Sequence, residues 1–316
     1  MRAVSRRSFL RGGIQAAGVL AAGVLVSRRS WADPLGLPIG IQLYTVGESM
    51  QKDAAATVRR IAAFGYKEVE TAGFGSAGSA AALRRLLDEA GLKCPSAHLN
   101  FDLKNLNQAF DDAHALGCTY ATASVPRILA LQRSLPANGA GQDEAGKIWA
   151  RMREPMTADD LKQLIEVVNE VGAAAAAQGL KLGLHNHTFE LQRIDGETVL
   201  DAMMQHTDPG HVSFEIDCGW ITVAGFTPAE FTARFPGRVK MLHIKDFLKF
   251  KAGATAGGPD SPVGTEIGQG VVDYKKIFAS LKHAGIEHIF VEQEGPFSRI
   301  SQMQAAEIDC KYLHTL

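Results

Sequence analysis

The chain has 316 residues, of which 46% are hydrophobic and 21% are charged, and its formal net charge is -1. This composition is that of an ordinary soluble globular protein with enough apolar residues for a sizeable core. The near-zero charge argues against an extended nucleic-acid surface, because phosphate contacts need clustered Lys and Arg. No basic run occurs beyond about the first thirty residues, so nucleic acid is not expected as a partner.

The N-terminal segment resembles an export signal. Paired arginines in SRRSFLR (5–11) precede an apolar segment from about residue 12 to 26, and SWA (30–32) offers small residues where a signal peptidase cuts. We predict a twin-arginine signal at residues 1–32, recognition by the twin-arginine export machinery, and a periplasmic mature chain at 33–316. An uncleaved membrane anchor is the alternative, but an apolar segment of about 15 residues is shorter than the ~20 that a bilayer needs.

The rest of the chain alternates short apolar runs with segments of helical period, which is typical of βαβ units in a parallel sheet. The predicted strands, in chain order, are GIQLYTV (40–46), YKEVETA (66–72), LKCPSAHL (92–99), CTYATASV (118–125), LKLGLHNH (180–187), HVSFEID (211–217), RVKMLHIKD (238–246) and HIFVEQE (288–294). The helices predicted between and after them cover residues 54–65, 79–91, 106–117, 157–179, 196–206, 228–237, 272–285 and about 301–316.

Eight strand–helix units over about 280 residues match a (β/α)8 barrel in count and length. We therefore predict an α/β fold, a single-domain TIM barrel at residues 33–316. A doubly wound open sheet is the second choice, but no Gly-x-Gly-x-x-Gly follows an early strand. The segment 126–156 has no clean period and is expected to be a long loop with a short helix near the mouth of the site. A Gly-rich loop is predicted at 252–270.

The cysteines show no CxxC pair and no spacing typical of a disulfide framework. There are four of them, and each lies in or near an apolar segment: Cys94, Cys118, Cys218 and Cys310. This placement favours buried free thiols over disulfides.

Carboxylates and imidazoles gather at the carboxyl ends of the predicted strands, where a TIM barrel carries its reactive groups. They are Glu70 on the second strand, His98 on the third, His185 and His187 on the fifth, Asp217 on the sixth, His243 and Lys245 on the seventh, and Glu292 and Glu294 on the eighth. Asp217 and His243 end strongly apolar strands, where an unpaired charge is costly. This pattern predicts a functional site at that end of the barrel.

Four of these residues form a set of mixed nitrogen and oxygen ligands: His185, Asp217, His243 and Glu292. Such a set suits one divalent cation such as Mn²⁺, Zn²⁺, Co²⁺ or Fe²⁺. Mg²⁺ is less expected, since it prefers oxygen ligands. Glu294 is the alternative to Glu292, because both side chains point to the same face of the strand.

Ordinary structural roles are the alternative for several of the other residues. His98 could donate to a backbone carbonyl, and Glu70 could lie at a surface strand end. Lys245 and Asp246 could form a salt bridge that orients the neighbouring histidine. Cys218, beside Asp217, is expected to pack in the core.

The motifs LGLHNHTFEL (182–191), FEIDCGW (214–220), MLHIKDF (241–247) and the block from GQG to VEQE (268–294) carry a family resemblance. Nearly the whole mature chain resembles the sugar phosphate isomerase/epimerase superfamily. These are the xylose isomerase-like barrels, which also include a class of apurinic endonucleases. The match is best to an exported subgroup with a His-Asn-His motif on the fifth strand.

The resemblance implies one metal ion held by side chains of strands five to eight, in most members a Glu, Asp, His and Glu. Asp217, His243 and Glu292 match the last three positions. At the first position many members have Glu-Asn-His, whereas this chain has His185-Asn-His, and Glu190 is the nearest carboxylate that could replace the missing one. Several members also have Asp-x-x-His on strand six. Here Trp220 takes the place of that histidine, which counts against the multi-metal endonuclease.

The resemblance further implies enolisation next to a carbonyl, with Glu292, His187 and Glu190 as candidate catalytic residues. Glu70, His98, Trp220 and Lys245 are expected to contact the substrate, Trp220 by stacking on a sugar face. The main hypothesis is a metal-dependent carbohydrate isomerase or epimerase. The alternatives are a keto-sugar (3-keto-glycoside) lyase or hydratase on the same site, for which one base and one acid suffice, and a periplasmic sugar-binding barrel without turnover.

A small carbohydrate is thus the expected partner. Homo-oligomers are compatible with the sequence, and no membrane association is expected after the signal is removed.

Overall fold

The computed structural model describes residues 33–134, 142–152, 154–256, 258, 260–297 and 299–316. The predicted export signal at 1–32 lies outside the described residues, and its function stays a prediction. In the part of the chain that is described, no helix combines the length and apolar character needed to span a bilayer.

Eight parallel strands close into a barrel. They are β1 (Ile39–Gln42), β2 (Glu68–Thr71), β3 (Lys93–His98), β4 (Tyr120–Ala123), β5 (Lys181–His185), β6 (Val212–Asp217), β7 (Val239–Ile244) and β8 (His288–Val291). Each strand pairs with its predecessor in the chain, and β8 returns to β1 with Ile289 beside Ile39. The predicted TIM barrel is confirmed, and closure rules out the open doubly wound sheet.

Helices follow the strands and cover the outside of the barrel, as the amphipathic period predicts. They are α1 (Gly47–Lys52), α2 (Ala54–Phe64), α3 (Ala80–Ala90), α4 (Leu106–Leu116), α5 (Arg127–Ser134), α6 (Gln142–Met152), α7 (Ala158–Ala177), α8 (Val199–His206), α9 (Cys218–Val223), α10 (Pro228–Arg234), α11 (Tyr274–Leu281) and α12 (Gln302–Leu313). Helix α7 begins with a capping box, in which the side chains of Thr157 and Asp160 each accept a hydrogen bond from the other's backbone N–H.

The segment 126–156 differs from its prediction as a long loop with one short helix. Its described residues include two helices, α5 of 8 residues and α6 of 11 residues. The proline and glycine residues around them interrupt the periodic pattern, so the sequence predicted only one short helix here. In the Gly-rich segment, a two-residue strand at Gly264–Thr265 pairs antiparallel with Asp246–Phe247.

The barrel interior has an apolar floor and a polar upper part. Tyr120, Met241 and Phe290 form a separate buried cluster inside the barrel, and the Tyr120 hydroxyl donates to Glu287 just before β8. The four cysteines are buried free thiols, as predicted. The apolar floor closes the lower end, so the polar side chains that follow can face only each other or the open upper end.

Candidate active site

The structure brings the four predicted metal ligands together. His185 ends β5, Asp217 ends β6, His243 lies on β7 in register with Asp217, and Glu292 directly follows β8. Their ligand atoms lie within 4.8 Å of one another, and all four side chains are buried. Two imidazole nitrogens and two carboxylates at this spacing are a suitable donor set for a divalent cation such as Zn²⁺ or Mn²⁺.

The imidazole of His243 lies between carboxylates on both sides of the ring, one at the height of the metal set and two closer to the barrel floor. Its Nδ1 lies 3.0 Å from Glu292 Oε2, while its Nε2 lies 2.7 Å from Glu70 Oε2 and 3.1 Å from Glu215 Oε2. Burial alone would lower the pKa of His243, but Glu215 and Glu292 outweigh it and raise that pKa well above its usual value. The ring is therefore fixed by charge on both sides.

Glu215 is a site residue that the sequence analysis missed. Its Oε2 lies 2.8 Å from His98 Nε2, 3.1 Å from His185 Nδ1 and 3.1 Å from His243 Nε2. Burial raises the pKa of Glu215, but these imidazoles, His243 first, outweigh it and hold the pKa well below its usual value. The signal was available, because residue 215 shares a strand face with Asp217. It lies inside an apolar run, however, whereas the predicted site residues all lie at strand ends.

The ionised Glu215 oxygen can only accept hydrogen bonds, so the nitrogens that face it carry the protons. This assigns the Nδ1–H tautomer to His185 and leaves its Nε2 with a free lone pair. For His243 it places a proton on Nε2, and the raised pKa places a second proton on Nδ1, which faces Glu292. His98, His185, Glu215 and His243 form a second group within 4.8 Å, and this group lies below the predicted metal set.

Glu70 and His98 belong to that lower level. Glu70 is fully buried, accepts a hydrogen bond of 2.8 Å from Gln42 Nε2 and also accepts one from Ser96. His98 Nε2 faces Glu215 and Glu70 at 2.8 and 3.1 Å. Burial opposes the protonation of His98, but the two carboxylates outweigh it and raise its pKa to about 10.

The ordinary roles considered for these two residues are therefore wrong. His98 contacts carboxylates instead of a backbone carbonyl, and Glu70 is an interior residue instead of a surface strand end. Their predicted contact with substrate stays a prediction. All the contacts described for Glu70 are with protein side chains, namely Gln42, Ser96, His98 and the Nε2 of His243.

Lys245 is a buried cation beside the metal set. Its Nζ lies 3.0 Å from Asp217 Oδ2, 2.6 Å from Glu292 Oε2 and 2.6 Å from Glu294 Oε1. Burial would lower the pKa of Lys245, but Asp217 and Glu292 outweigh it and raise it well above its usual value. The alternative prediction of a salt bridge between Lys245 and Asp246 is wrong. The carboxylates that pair with Lys245 are those named above, and Asp246 is not among them.

Asp246 instead anchors the Gly-rich segment. Its two oxygens accept hydrogen bonds of 2.9–3.0 Å from the backbone N–H groups of Phe247, Gly268, Gly270 and Val272. A Cβ at Gly270 would lie 2.2 Å from Asp246 Oδ1, so only glycine permits this approach. Asp246 thereby fixes the loop that follows β7 against the barrel.

Trp220 was expected to stack on the face of a sugar, but the structure buries it. The indole is 1% exposed, with its ring centroid 4.7 Å from that of Phe247 and 5.2 Å from Lys245 Nζ. A sugar ring has no access to its faces. Its buried Nε1–H has no hydrogen-bond partner among the described residues.

His187 lies next to the metal set but is not part of it. Its ring centroid is 4.9 Å from that of His185, and its buried Nδ1 has no hydrogen-bond partner in the described part of the chain. Burial, His185 and Lys245 lower the pKa of His187 to about 3. Burial and His243 likewise lower the pKa of His185 to about 3. Both imidazoles are therefore neutral, in the form that accepts a proton or binds a metal.

Glu190 does not replace the carboxylate that strand five lacks. Its Oε2 accepts a hydrogen bond of 2.9 Å from the His187 backbone N–H, and it is in neither of the groups of potential metal ligands. Burial raises the pKa of Glu190 to about 7. Between the two histidines, Asn186 accepts the Asp217 backbone N–H at 3.0 Å. The His-Asn-His motif thus ties the end of β5 to the end of β6.

Comparison with curated proteins finds relatives that share part of the chain. The inosose dehydratase of Geobacillus thermodenitrificans is 27% identical over 168 residues, which are 47% of this chain and 54% of that protein. The chain thus matches about half the length of such relatives.

Solved structures share the fold over nearly the whole chain. A sugar phosphate isomerase/epimerase from Parabacteroides distasonis is 23% identical, covers 88% of this chain and 93% of its own, and superimposes with a TM-score of 0.66. The IOLI protein with a bound zinc atom is 17% identical, with a TM-score of 0.61 and coverage of 87% and 96%. At these identities the likeness concerns the fold alone.

The family model described as "Xylose isomerase-like TIM barrel" matches residues 58–314. That range contains seven of the eight barrel strands and all the predicted metal ligands. This chain therefore belongs to the xylose isomerase-like TIM barrels.

Proposed function

We propose that this protein is a divalent-metal-dependent lyase or hydratase that acts next to the carbonyl of a keto-sugar or keto-cyclitol, in the periplasm. The sequence analysis put an isomerase or epimerase first. The curated relatives are named inosose dehydratases, which favours the lyase alternative. The same fold and metal set could serve either reaction, so the choice depends on which groups transfer protons.

The donor set fits the proposed metal. His185 and His243 each keep one ring nitrogen free of Glu215, and Asp217 and Glu292 add two carboxylates in the same buried group. The solved structure of a protein with this fold contains zinc. When bound, a divalent cation would act as a Lewis acid toward the substrate carbonyl.

The main support for a lyase is that the groups placed for proton transfer are not a pair of opposed carboxylates. An epimerase that works through two opposed carboxylates needs one on strand five, but that strand presents the neutral imidazoles of His185 and His187. The nearest carboxylate, Glu190, is hydrogen-bonded to the backbone of its own loop. One base and one acid, as an elimination requires, are all that this arrangement provides.

In the proposed reaction, His187 Nδ1 accepts the proton from the carbon next to the carbonyl. It is neutral and buried, and it has no hydrogen-bond partner among the described residues. Lys245 is the neighbouring cation, and its ammonium group, held by Glu292 and Glu294, can donate a hydrogen bond to the oxygen that leaves from the next carbon. The C–H and C–O bonds break, a C=C bond forms, and His187 passes the proton it has taken to the leaving oxygen, which departs as water or an alcohol.

The test is product analysis in D₂O with zinc- or manganese-loaded protein, using inosose and methyl 3-keto-glucoside as probes. The proposal predicts loss of the proton next to the carbonyl together with release of water or methanol, observed by ¹H NMR. Exchange of that proton for deuterium, with epimer formation and no leaving group, would favour the isomerase. Binding without exchange or elimination would favour the sugar-binding barrel. His187→Gln should abolish elimination, and the exposed His283→Gln should not.

A further inference from the structure

A cleft of about 830 Å³ opens at the upper end of the barrel, next to the carboxyl ends of β1, β2 and β8. Its walls come from the loops after β1, β2 and β8 and from the starts of α1 and α12. The lining includes Leu43, Tyr44, Glu48, Gln51, Thr71, Gln293, Phe297 and Gln302. None of these residues has a role in the proposed reaction.

The cleft lies at strand ends that also carry site residues. Gln293 directly follows Glu292 at the end of β8, and Thr71 directly follows Glu70 at the end of β2. The Gln293 backbone N–H donates a hydrogen bond of 3.0 Å to Thr45 Oγ1, which holds the end of β8 against the segment after β1. The cleft and the metal set therefore share the upper end of the barrel.

Two lining residues point to a ligand. Tyr44 is 59% exposed, and no other large hydrophobic side chain among the described residues is more exposed. Gln293 is only 4% exposed, yet its amide oxygen has no hydrogen-bond partner in the described part of the chain. A buried amide without a partner is costly, whereas a ligand hydroxyl group would satisfy it.

The cleft wall depends on a close backbone approach. Gly75 has a φ of +54°, and a Cβ there would lie 2.5 Å from the carbonyl oxygen of Met50. Both observations require glycine. The loop after β2 is thereby held against α1, so the cleft has a defined shape without any bound ligand.

From these features we infer that the cleft binds a second sugar ring, joined to the reacting ring through the leaving oxygen. The substrate is then a keto-glycoside of two rings. This inference rests on the proposed function and narrows its substrate class. The volume lies in the upper part of the ~300–1,000 Å³ typical of ligand pockets, far above the need of one six-membered ring.

The lining chemistry favours a sugar over a flat aromatic group. Tyr44 offers one aromatic face for the C–H face of a pyranose. Glu48, Gln51, Gln293 and Gln302 surround it with acceptors and donors for hydroxyl groups. An aromatic group would leave the buried amide oxygen of Gln293 without a partner and would gain only the contact with Tyr44.

The test compares 3-keto-trehalose, methyl 3-keto-glucoside and 4-nitrophenyl 3-keto-glucoside on the metal-loaded protein. Affinity is taken as KM where turnover occurs and as Kd from titration calorimetry where it does not. We expect 3-keto-trehalose to bind about tenfold more tightly than the methyl glycoside. Tyr44→Ala should remove most of this preference, and Tyr44→Phe should keep it. Neither substitution should change the affinity for the methyl glycoside more than about twofold.

Equal affinity for the one-ring and two-ring probes would overturn the inference, as would a preference that survives in Tyr44→Ala. A preference for the nitrophenyl compound over 3-keto-trehalose would overturn the assignment to a sugar. Tight, Tyr44-dependent binding of 3-keto-trehalose without elimination would support the cleft and contradict the proposed function. Elimination from all three probes at equal KM would support the proposed function and contradict the second-ring site in the cleft. The two proposals can therefore fail separately.

Discussion

Glu215 Oε2 lies 3.1 Å from Nε2 of His243, and the other nitrogen of that ring faces Glu292 at 3.0 Å. The two residues sit on neighbouring strands, one level apart in the barrel. A carboxylate behind a metal-binding imidazole fixes its tautomer and the orientation of its ring. Because Glu215 contacts His185 in the same way at 3.1 Å, a single buried carboxylate orients both predicted imidazole ligands.

Removal of Glu215 should therefore weaken metal binding without removing a ligand. We expect Glu215→Leu to raise the Kd for Zn²⁺ or Mn²⁺ by about 10- to 100-fold. Glu215→Gln keeps one oxygen that can accept an imidazole N–H, so its effect should be smaller. The Kd is measured by competition with a chromogenic chelator, with circular dichroism as the check on folding. A metal Kd that does not change in a folded Glu215→Leu protein would contradict this role.

Loss of a predicted ligand should have a larger effect. His243→Ala removes one of the four donors and leaves Glu70, Glu215 and Glu292 without their shared imidazole. Metal analysis of the purified protein should find about one Mn, Zn, Co or Fe per wild-type chain and almost none in the variant. The matched control is His283→Ala at an exposed position, which should keep its metal. Full metal content in His243→Ala would show that the ion binds elsewhere.

Lys245 should stabilise the site as well as contribute to the reaction. Lys245→Met keeps the apolar stem but leaves Asp217, Glu292 and Glu294 close together without their ammonium group. Removing one partner from a buried ion pair typically costs about 3–5 kcal/mol. We expect a decrease of that size in the free energy of unfolding, measured in urea on metal-free protein. Lys251→Met breaks an exposed pair with Asp260 and should change stability by no more than about 1 kcal/mol.

The sequence was sufficient to predict the barrel because its signals are local. Alternating apolar runs and helical periods specify strands and helices one at a time, and the eightfold count then implies closure. Only one short helix was predicted where α5 and α6 lie, because Pro126, Pro136 and the glycines near them break the periodic pattern. The metal ligands were predicted from the rule that reactive side chains of a TIM barrel lie at the carboxyl ends of its strands. That rule can also be applied to each strand separately.

The side chains that hold those ligands could not be found in that way. Glu215 shares a strand face with Asp217, but its role, like that of Gln42, depends on neighbours on other strands, and no spacing in the sequence identifies those neighbours. The partners of Lys245 were missed for the same reason, since Asp246 is adjacent in sequence but Glu292 and Glu294 are adjacent in space. Cross-strand contacts decide these roles, and the sequence alone did not specify them.

Glu190 should make the stability of the protein depend on pH. Its pKa is raised from 4.5 to about 7 by burial, so the folded state favours the protonated carboxyl. The stabilisation from that proton is complete below the unfolded pKa and is lost as the pH rises through about 7, at up to about 1.4 kcal/mol per pH unit. The advantage of wild type over Glu190→Gln in free energy of unfolding should therefore fall between pH 5 and pH 8. Glu166→Gln, at an exposed position on α7, is the control. A difference between wild type and Glu190→Gln that stays flat or rises with pH would mean that Glu190 is ionised in the folded protein, and it would then be available as a base beside His187.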